Sequence, residues 1–270
     1  MNNCIGTVIV VAALAFFAAP SLAAPWGPVE REARVEGADQ DVPRASPMPT
    51  AVGDGAFSPL TMPARVGSTQ AFAWSLGGYD TSRKSAVVDT SVEVRLWGPI
   101  ALRGGATYSK DTSQMRPHIG ARAQLLRQDR HGLDGSLSVF YKAEGFTEGE
   151  GEIETLVALG RRFQALSVAA NFVYGQDPEG NERDGELRAT VFRDQGGASF
   201  GLDARARFAL GAQHGKNATR EPTLDVVGGP VGTVTLGPVA LFAEAGPSVF
   251  SLGGSTRAGV AAFGGIGSAF

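Results

Sequence analysis

Few residues in this chain are equipped for nucleophilic chemistry. Its histidines are His118, His131 and His214, and its one cysteine is Cys4. A hydrolase needs a Ser or Cys nucleophile, a His base and a polar group that orients the base. Ser109 and His118 stand at the ends of two consecutive strand-like stretches, so they are the best-placed pair. Both fall on the polar face of those stretches, whereas a lipid hydrolase presents its site to the bilayer. One G-x-S-x-G match, Gly197-Ala198-Ser199-Phe200-Gly201, follows a turn and opens a strand. The strand–turn–helix of an elbow nucleophile is therefore missing, and in a chain with 37 glycines chance is the plainer account. His131 and His214 read as solvated turn and loop residues. No catalytic residue is assigned.

The acidic run Glu148-Gly149-Glu150-Gly151-Glu152, with Glu154 beyond it, has carboxylates for a divalent ion but fits no EF-hand spacing. It reads as a solvated loop, as does the stretch 177–184. No metal and no cofactor is assigned. A different set of charges carries more information: Glu93, Arg95, Arg103, Arg122, Lys142, Glu154, Glu186, Arg188, Asp203, Arg205 and Arg207. All fall on one face of alternating stretches. They either line a constriction and tune ion or solute selectivity, or pair across strands and close a narrow interior.

The elements that must position these charges are strands. Val92, Val94 and Leu96 alternate with Ser91, Glu93 and Arg95; Ile119, Ala121, Ala123 and Leu125 alternate with His118, Gly120, Arg122 and Gln124. Phe72, Trp74 and Leu76 show the same spacing, as do the stretches 136–143, 166–174 and 200–208. Successive strand side chains point to opposite faces, so each stretch has one apolar face. The pattern predicts strands over 68–77, 87–97, 99–109, 116–126, 133–144, 151–161, 165–175, 184–193, 198–210, 222–236, 238–245 and 257–270. Gly228-Gly229-Pro230 must bulge or break the tenth. Short turns alternate with longer polar loops at 78–86, 110–115, 145–150, 176–183, 211–221 and 246–256, which is how the two rims of a transmembrane barrel differ.

The faces also decide which way the sheet is turned. A soluble barrel or sandwich alternates equally well, with its charges outside. Here the apolar face is rich in Ala and Gly, a poor filling for a close-packed interior. Its only charges, Arg161 and Arg193, fall at strand ends. A lipid-facing charge near mid-membrane costs ~2–4 kcal/mol and little at the interface. The apolar face therefore belongs to lipid and the charged face to a lumen. Trp97 and Tyr174 fit an interfacial aromatic belt, with Trp74 deeper.

Two segments precede the barrel. Cys4 to Ala19 is an uncharged apolar run ended by Pro20, with Ser21-Leu22-Ala23 after it. That is the plan of a signal peptide cut after Ala23, although Met1-Asn2-Asn3 supplies no Lys or Arg. The mature chain then has no cysteine, and so no disulfide or thiolate chemistry. Residues 24–66 hold seven prolines and keep neither strand nor helix period. They read as a largely irregular periplasmic segment, with a plug folding into the lumen as the alternative. The net charge of −3 with no basic block argues against nucleic acid.

The end of the chain, Val260-Ala261-Ala262-Phe263-Gly264-Gly265-Ile266-Gly267-Ser268-Ala269-Phe270, resembles the C-terminal strand of bacterial outer-membrane β-barrels of the porin-like superfamily. Phe270, Ile266, Ala262 and Val260 match its alternating apolar pattern; Ser268 departs from it and Gly264 is weak. The resemblance covers roughly residues 67–270. It implies an outer-membrane location, surrounding lipids and lipopolysaccharide, and assembly by the barrel-assembly machinery, with Phe270 as the signal that machinery reads. It names no single activity, since the fold hosts pores, enzymes, adhesins and transporters. The expectation is an all-β, single up-and-down antiparallel transmembrane barrel of about twelve strands, with ten as the alternative. It would act as a small, weakly selective pore for small solutes or as a structural surface barrel. The rival readings are a lipid-active enzyme and a soluble exported sandwich or barrel that binds a ligand.

Overall fold

Twelve strands form, one for each alternating stretch. They are β1 (Ala71–Asp80), β2 (Ser85–Trp97), β3 (Ile100–Ser109), β4 (Gln114–Leu126), β5 (Asp134–Ala143) and β6 (Gly151–Phe163), followed by β7 (Leu166–Gln176), β8 (Arg183–Gln195), β9 (Ala198–Ala209), β10 (Leu224–Leu236), β11 (Val239–Leu252) and β12 (Ser255–Ala269). Each pairs antiparallel with its chain neighbours, and β1 pairs with β12 to close the barrel. The computed structural model describes residues 60–66, 71–110, 113–145, 151–178, 183–210 and 222–270. All of these lie within the unit Ala45–Phe270. The signal peptide expected at 1–23, residues 24–59, His214 and the acidic residues Glu148 and Glu150 lie outside the described residues.

The barrel is inside out relative to a soluble one. Val92, Val94, Leu102, Ile119, Leu125, Val139, Val157, Phe172, Leu202, Leu241, Val260 and Ile266 are exposed, while Arg122, Glu186, Asp203, Asp225 and Glu244 are buried. A water-soluble sheet would reverse this assignment. An outward apolar surface on a sheet without free edges is the arrangement a bilayer requires, because every backbone group is then satisfied within the sheet.

One strand departs from the expected facing. In β1 it is the apolar residues Phe72, Trp74 and Leu76 that point inward, with Phe72 and Trp74 each only 7% exposed. The outward residues are Ala73, Ser75, Gly77 and Tyr79. Outward Ser75 is made tolerable by Thr90 of β2, whose hydroxyl lies 3.1 Å from its own. Trp74 therefore belongs to the lumen and not to a lipid-facing belt, whereas Trp97 sits exposed at the short-turn rim.

The loops depart in length. The connection expected over 78–86 shrinks to a four-residue turn at 81–84, with Lys84 at φ 58°. The loop expected over 246–256 is strand, interrupted only by Gly253-Gly254, both at positive φ. Between β4 and β5 a single helical turn, α1 (Gln128–His131), closes on Gly132, whose φ of 78° is the usual left-handed helix ending. At Gly228-Gly229-Pro230 the register with β9 runs through unbroken. On the β11 side, pairing lapses between Val227–Ser248 and Val231–Glu244. Pro230 and Pro247 have no N–H to donate there. Gly229 and Gly246 allow an approach so close that a side chain on either would collide with the facing backbone.

Residues 60–66, the end of the Pro-rich segment, run inside the barrel. Leu60, Met62, Ala64 and Val66 are buried among lumen side chains, Met62 and Ala64 with Phe140, Leu156, Ala158 and Val173, and Leu60 with Val227, Ala261 and Phe263. The segment belongs to no ladder. Its polar groups bond to the wall instead, as a buried irregular chain requires.

Candidate functional site: the lumen

The interior wall is a set of short polar and charged side chains interrupted by a chain segment. Met62 N–H donates to Asn171 Oδ1 at 2.6 Å, and Asn171 Nδ2 donates to the Met62 carbonyl at 2.8 Å. Thr61 Oγ1 donates to Asp203 Oδ1 at 2.7 Å, and Gln124 Oε1 accepts from Val66 N–H at 3.3 Å. Arg122 donates to the carbonyls of Pro63 and Arg65. Residues 60–66 are thus tied to β4, β7 and β9 at once. Small inward residues make the room: Ser136, Ser138, Ser167 and Asn171 are all buried on the inner face.

The charges selected from the sequence face this lumen. Arg122 is 2% exposed and pairs with Glu93 at 3.4 Å. Lys142 pairs with Glu154 at 2.6 Å. Arg188 pairs with Glu186 on its own strand, and Arg207 with Asp184 across the β8–β9 ladder. Arg205 reaches Asp225 at 2.9 Å, and Arg83, from the 81–84 turn, reaches the same carboxylate at 3.1 Å. Arg95 donates to the Gly98 carbonyl at the short-turn rim. Asp203 is covered by Thr61. The sequence pattern did not single out Asp225, Asp184 or Arg83, because they fall at strand ends or in a turn where period 2 has no purchase.

Arg103 is held differently. Its guanidinium lies 4.4 Å from the Trp74 ring centroid and 5.6 Å from that of Phe140. Among the described residues no carboxylate forms an ion pair with it, and its Nε is buried without an acceptor. The rings hold the cation through their negative faces.

A cavity of about 350 Å³ remains between the plugging segment and the wall. Among the described residues ten Arg and Lys side chains line it against seven Asp and Glu, so this lining has three more cationic than acidic side chains in a chain whose net charge is −3. Apolar residues line it as well: Phe72, Trp74 and Leu76 of β1, Phe263 of β12, Phe140, Leu156 and Val173 from β5 to β7, and the apolar side chains of residues 60–66.

The residues of the hydrolase reading do not assemble. Ser109 pairs across the ladder with Gln114, and His118 with Gly105, so the two stand roughly 13 Å apart along the strands. His118 Nε2 lies 3.1 Å from Ser91 Oγ, which also donates to Asp89 at 3.0 Å. The serine, not the histidine, stands between the other two, so no group orients the base. Ser199 donates to Asp194 at 2.6 Å beside the β8–β9 turn. Gly201 of the same motif is there because β9 packs against the Val191 carbonyl with no room for a side chain. His131 is exposed, its Nδ1 within 3.1 Å of the Arg127 N–H. Among the described residues no cluster of His, Cys, Asp and Glu has the makings of a metal centre.

Neither the protein-family models nor the curated proteins offer a match to this chain. Solved structures do. The chain is similar to the NanC porin, with a TM-score of 0.55 at 9% identity over 73% of this chain and 100% of that one. It is similar to the KdgM porin, with a TM-score of 0.51 at 6% identity over 74% and 99%, and to KdgM in complex with disordered oligogalacturonate, with a TM-score of 0.52 at 6% identity over 74% and 99%. The closed twelve-strand sheet, its outward apolar surface and these similarities agree: the chain has the fold of the porin-like outer-membrane β-barrels, with no one subfamily marked out.

Proposed function

We propose that this protein is a narrow, weakly selective outer-membrane pore that favours small anionic solutes. The observation that carries the reading is the excess of cationic side chains around the central cavity. Inside a low-dielectric wall such a field raises the local concentration of anions and lowers their entry barrier. The acids beside it keep most cations paired, so the preference is modest. KdgM, which has been solved with disordered oligogalacturonate, a carboxylated polymer, supports the same sign of charge without naming a solute for this chain. The reading carries with it an outer membrane with lipopolysaccharide outside, and assembly by the barrel-assembly machinery through Phe270.

The test is the reversal potential of the purified protein in a planar bilayer under a KCl gradient. A chloride-favouring potential is expected, moving toward zero in Arg205→Ala and Arg207→Ala. A potassium-favouring potential in the unmodified protein sinks the reading. A chloride preference that both variants leave unchanged retains the pore and removes the lumen arginines as its selectivity element.

A further inference from the structure

The lumen has two chemically different walls. On one side stand Arg103, Arg116 and His118 of β3 and β4. Arg116 Nε, like that of Arg103, is buried without an acceptor. Next to them, beyond β2, β1 and β12 present Phe72, Trp74, Leu76 and Phe263, with Trp74 against the Arg103 guanidinium. Leu76 and Phe263 are only partly covered, so they keep apolar surface toward the cavity. A pore that passes only hydrated ions has no need of this wall. In β1 the apolar residues Phe72, Trp74 and Leu76 all face inward while the small residues Ala73 and Ser75 face out.

We infer that the cavity is a binding site for small amphipathic organic acids, molecules with one carboxylate and a compact apolar body. The inference rests on the pore reading above and names the class of solute that pore recognises. The carboxylate is received by the guanidinium of Arg103, which the Trp74 and Phe140 rings hold in place; Glu93 stands opposite it in the β2–β3 ladder but pairs with Arg122, and among the described residues no carboxylate forms an ion pair with Arg103. A pre-positioned guanidinium loses little freedom on binding, and its hydrogen bonds to a carboxylate are charge-assisted. The apolar body lies against Leu76, Phe263 and Leu60. The two attractions are separate, so neither a neutral ring nor a polyhydroxylated acid satisfies both. At about 350 Å³ the space is at the small end of ligand pockets, which run ~300–1,000 Å³. It suits a single aromatic ring or a short alkyl chain, not a polymer.

The experiment uses the full chain folded into phosphatidylcholine vesicles at neutral pH. The probes are benzoate, glucuronate and benzyl alcohol, which share the charge, the apolar body, or both. Trp26→Phe and Trp97→Phe leave Trp74 as the sole tryptophan, and its emission reports occupancy. Benzoate is expected to bind roughly tenfold or more tighter than either other probe, one factor of ten corresponding to ~1.4 kcal/mol. Arg103→Gln is expected to reduce the benzoate preference and Arg103→Lys to keep part of it, with heat-modifiable gel migration showing that both variants are folded. The comparison of the three probes needs no substitution at Arg103, so it stands even if those variants do not fold. Equal binding of benzoate and glucuronate overturns the inference and leaves the anion-favouring pore intact. Equal binding of benzoate and benzyl alcohol, or no response to benzoate, overturns it as well. A potassium-favouring reversal potential with tight benzoate binding removes the pore reading alone.

Discussion

Asn171 and Met62 satisfy each other completely: the side-chain amide of one accepts from the peptide N–H and donates to the peptide carbonyl of the other, at 2.6 Å and 2.8 Å. A side chain of β7 thereby does for residues 60–66 what a neighbouring strand would do. Each such bond contributes about 0.5–1.5 kcal/mol net. Asn171→Leu is therefore expected to raise the population of barrels with the segment displaced by roughly tenfold. Single-channel recording should show more frequent, larger openings than in the unmodified protein. Openings of unchanged size and frequency would mean that the segment does not limit the lumen.

Arg122 ties the same segment to β4 and neutralises Glu93. Removing one member of a buried pair strands the other, at a cost of ~3–5 kcal/mol. Arg122→Met is expected to lower the temperature at which the folded gel band converts to the unfolded one. Adding Glu93→Gln should restore part of the loss, because no unpaired charge then remains. If the double variant is no better than the single, the carbonyl contacts and not the ion pair dominate.

The direction of the faces can be tested at two outward positions. Val157 lies at the middle of β6 and Leu166 at the short-turn end of β7, both exposed. Lysine at mid-membrane costs ~2–4 kcal/mol and near the interface ~0–1 kcal/mol. Val157→Lys should weaken folding into vesicles strongly and Leu166→Lys hardly at all, measured by urea titration. Equal and negligible effects would place both residues in water.

At the closing seam the Phe270 N–H donates to the Ala71 carbonyl at 2.9 Å, and the Ala71 N–H returns the bond at 3.3 Å. Deleting Phe270 removes both bonds and the exposed ring beside them. Cell fractionation is expected to show the full chain in the outer membrane and the truncated chain in the periplasm, with Phe270→Tyr behaving like the full chain. Normal outer-membrane delivery without Phe270 would dismiss it as an assembly signal.

The strands were legible because a barrel wall asks for the same thing everywhere: an apolar residue at every second position on the lipid side. That single demand is why the twelve stretches and their charged faces could be read locally. Trp74 was misread for the same reason. Period 2 finds the apolar face of β1 but does not say which side it faces, and Ala73 and Ser75 gave no charge to decide it. The 81–84 turn and the continuation of β11 through Gly246-Pro247 were hidden by small and breaker residues that elsewhere mark loops. Residues 60–66 could be offered only as a possible plug, since their partners, Asn171, Asp203 and Arg122, lie 57 to 142 positions away and no local pattern connects them.

Closure of β1 on β12 has one more consequence. From Phe72–Ala269 to Asp80–Ala261 the first and last strands saturate each other, so the sheet offers no free border on which a foreign peptide or a second copy could dock as a thirteenth strand. Association of these barrels side by side through the strands is made by side chains alone, across the outward patches of Val, Leu and Ile. There the competitor is a lipid tail as oily as the partner, and fit of shape, not escape from water, decides whether two barrels stay together.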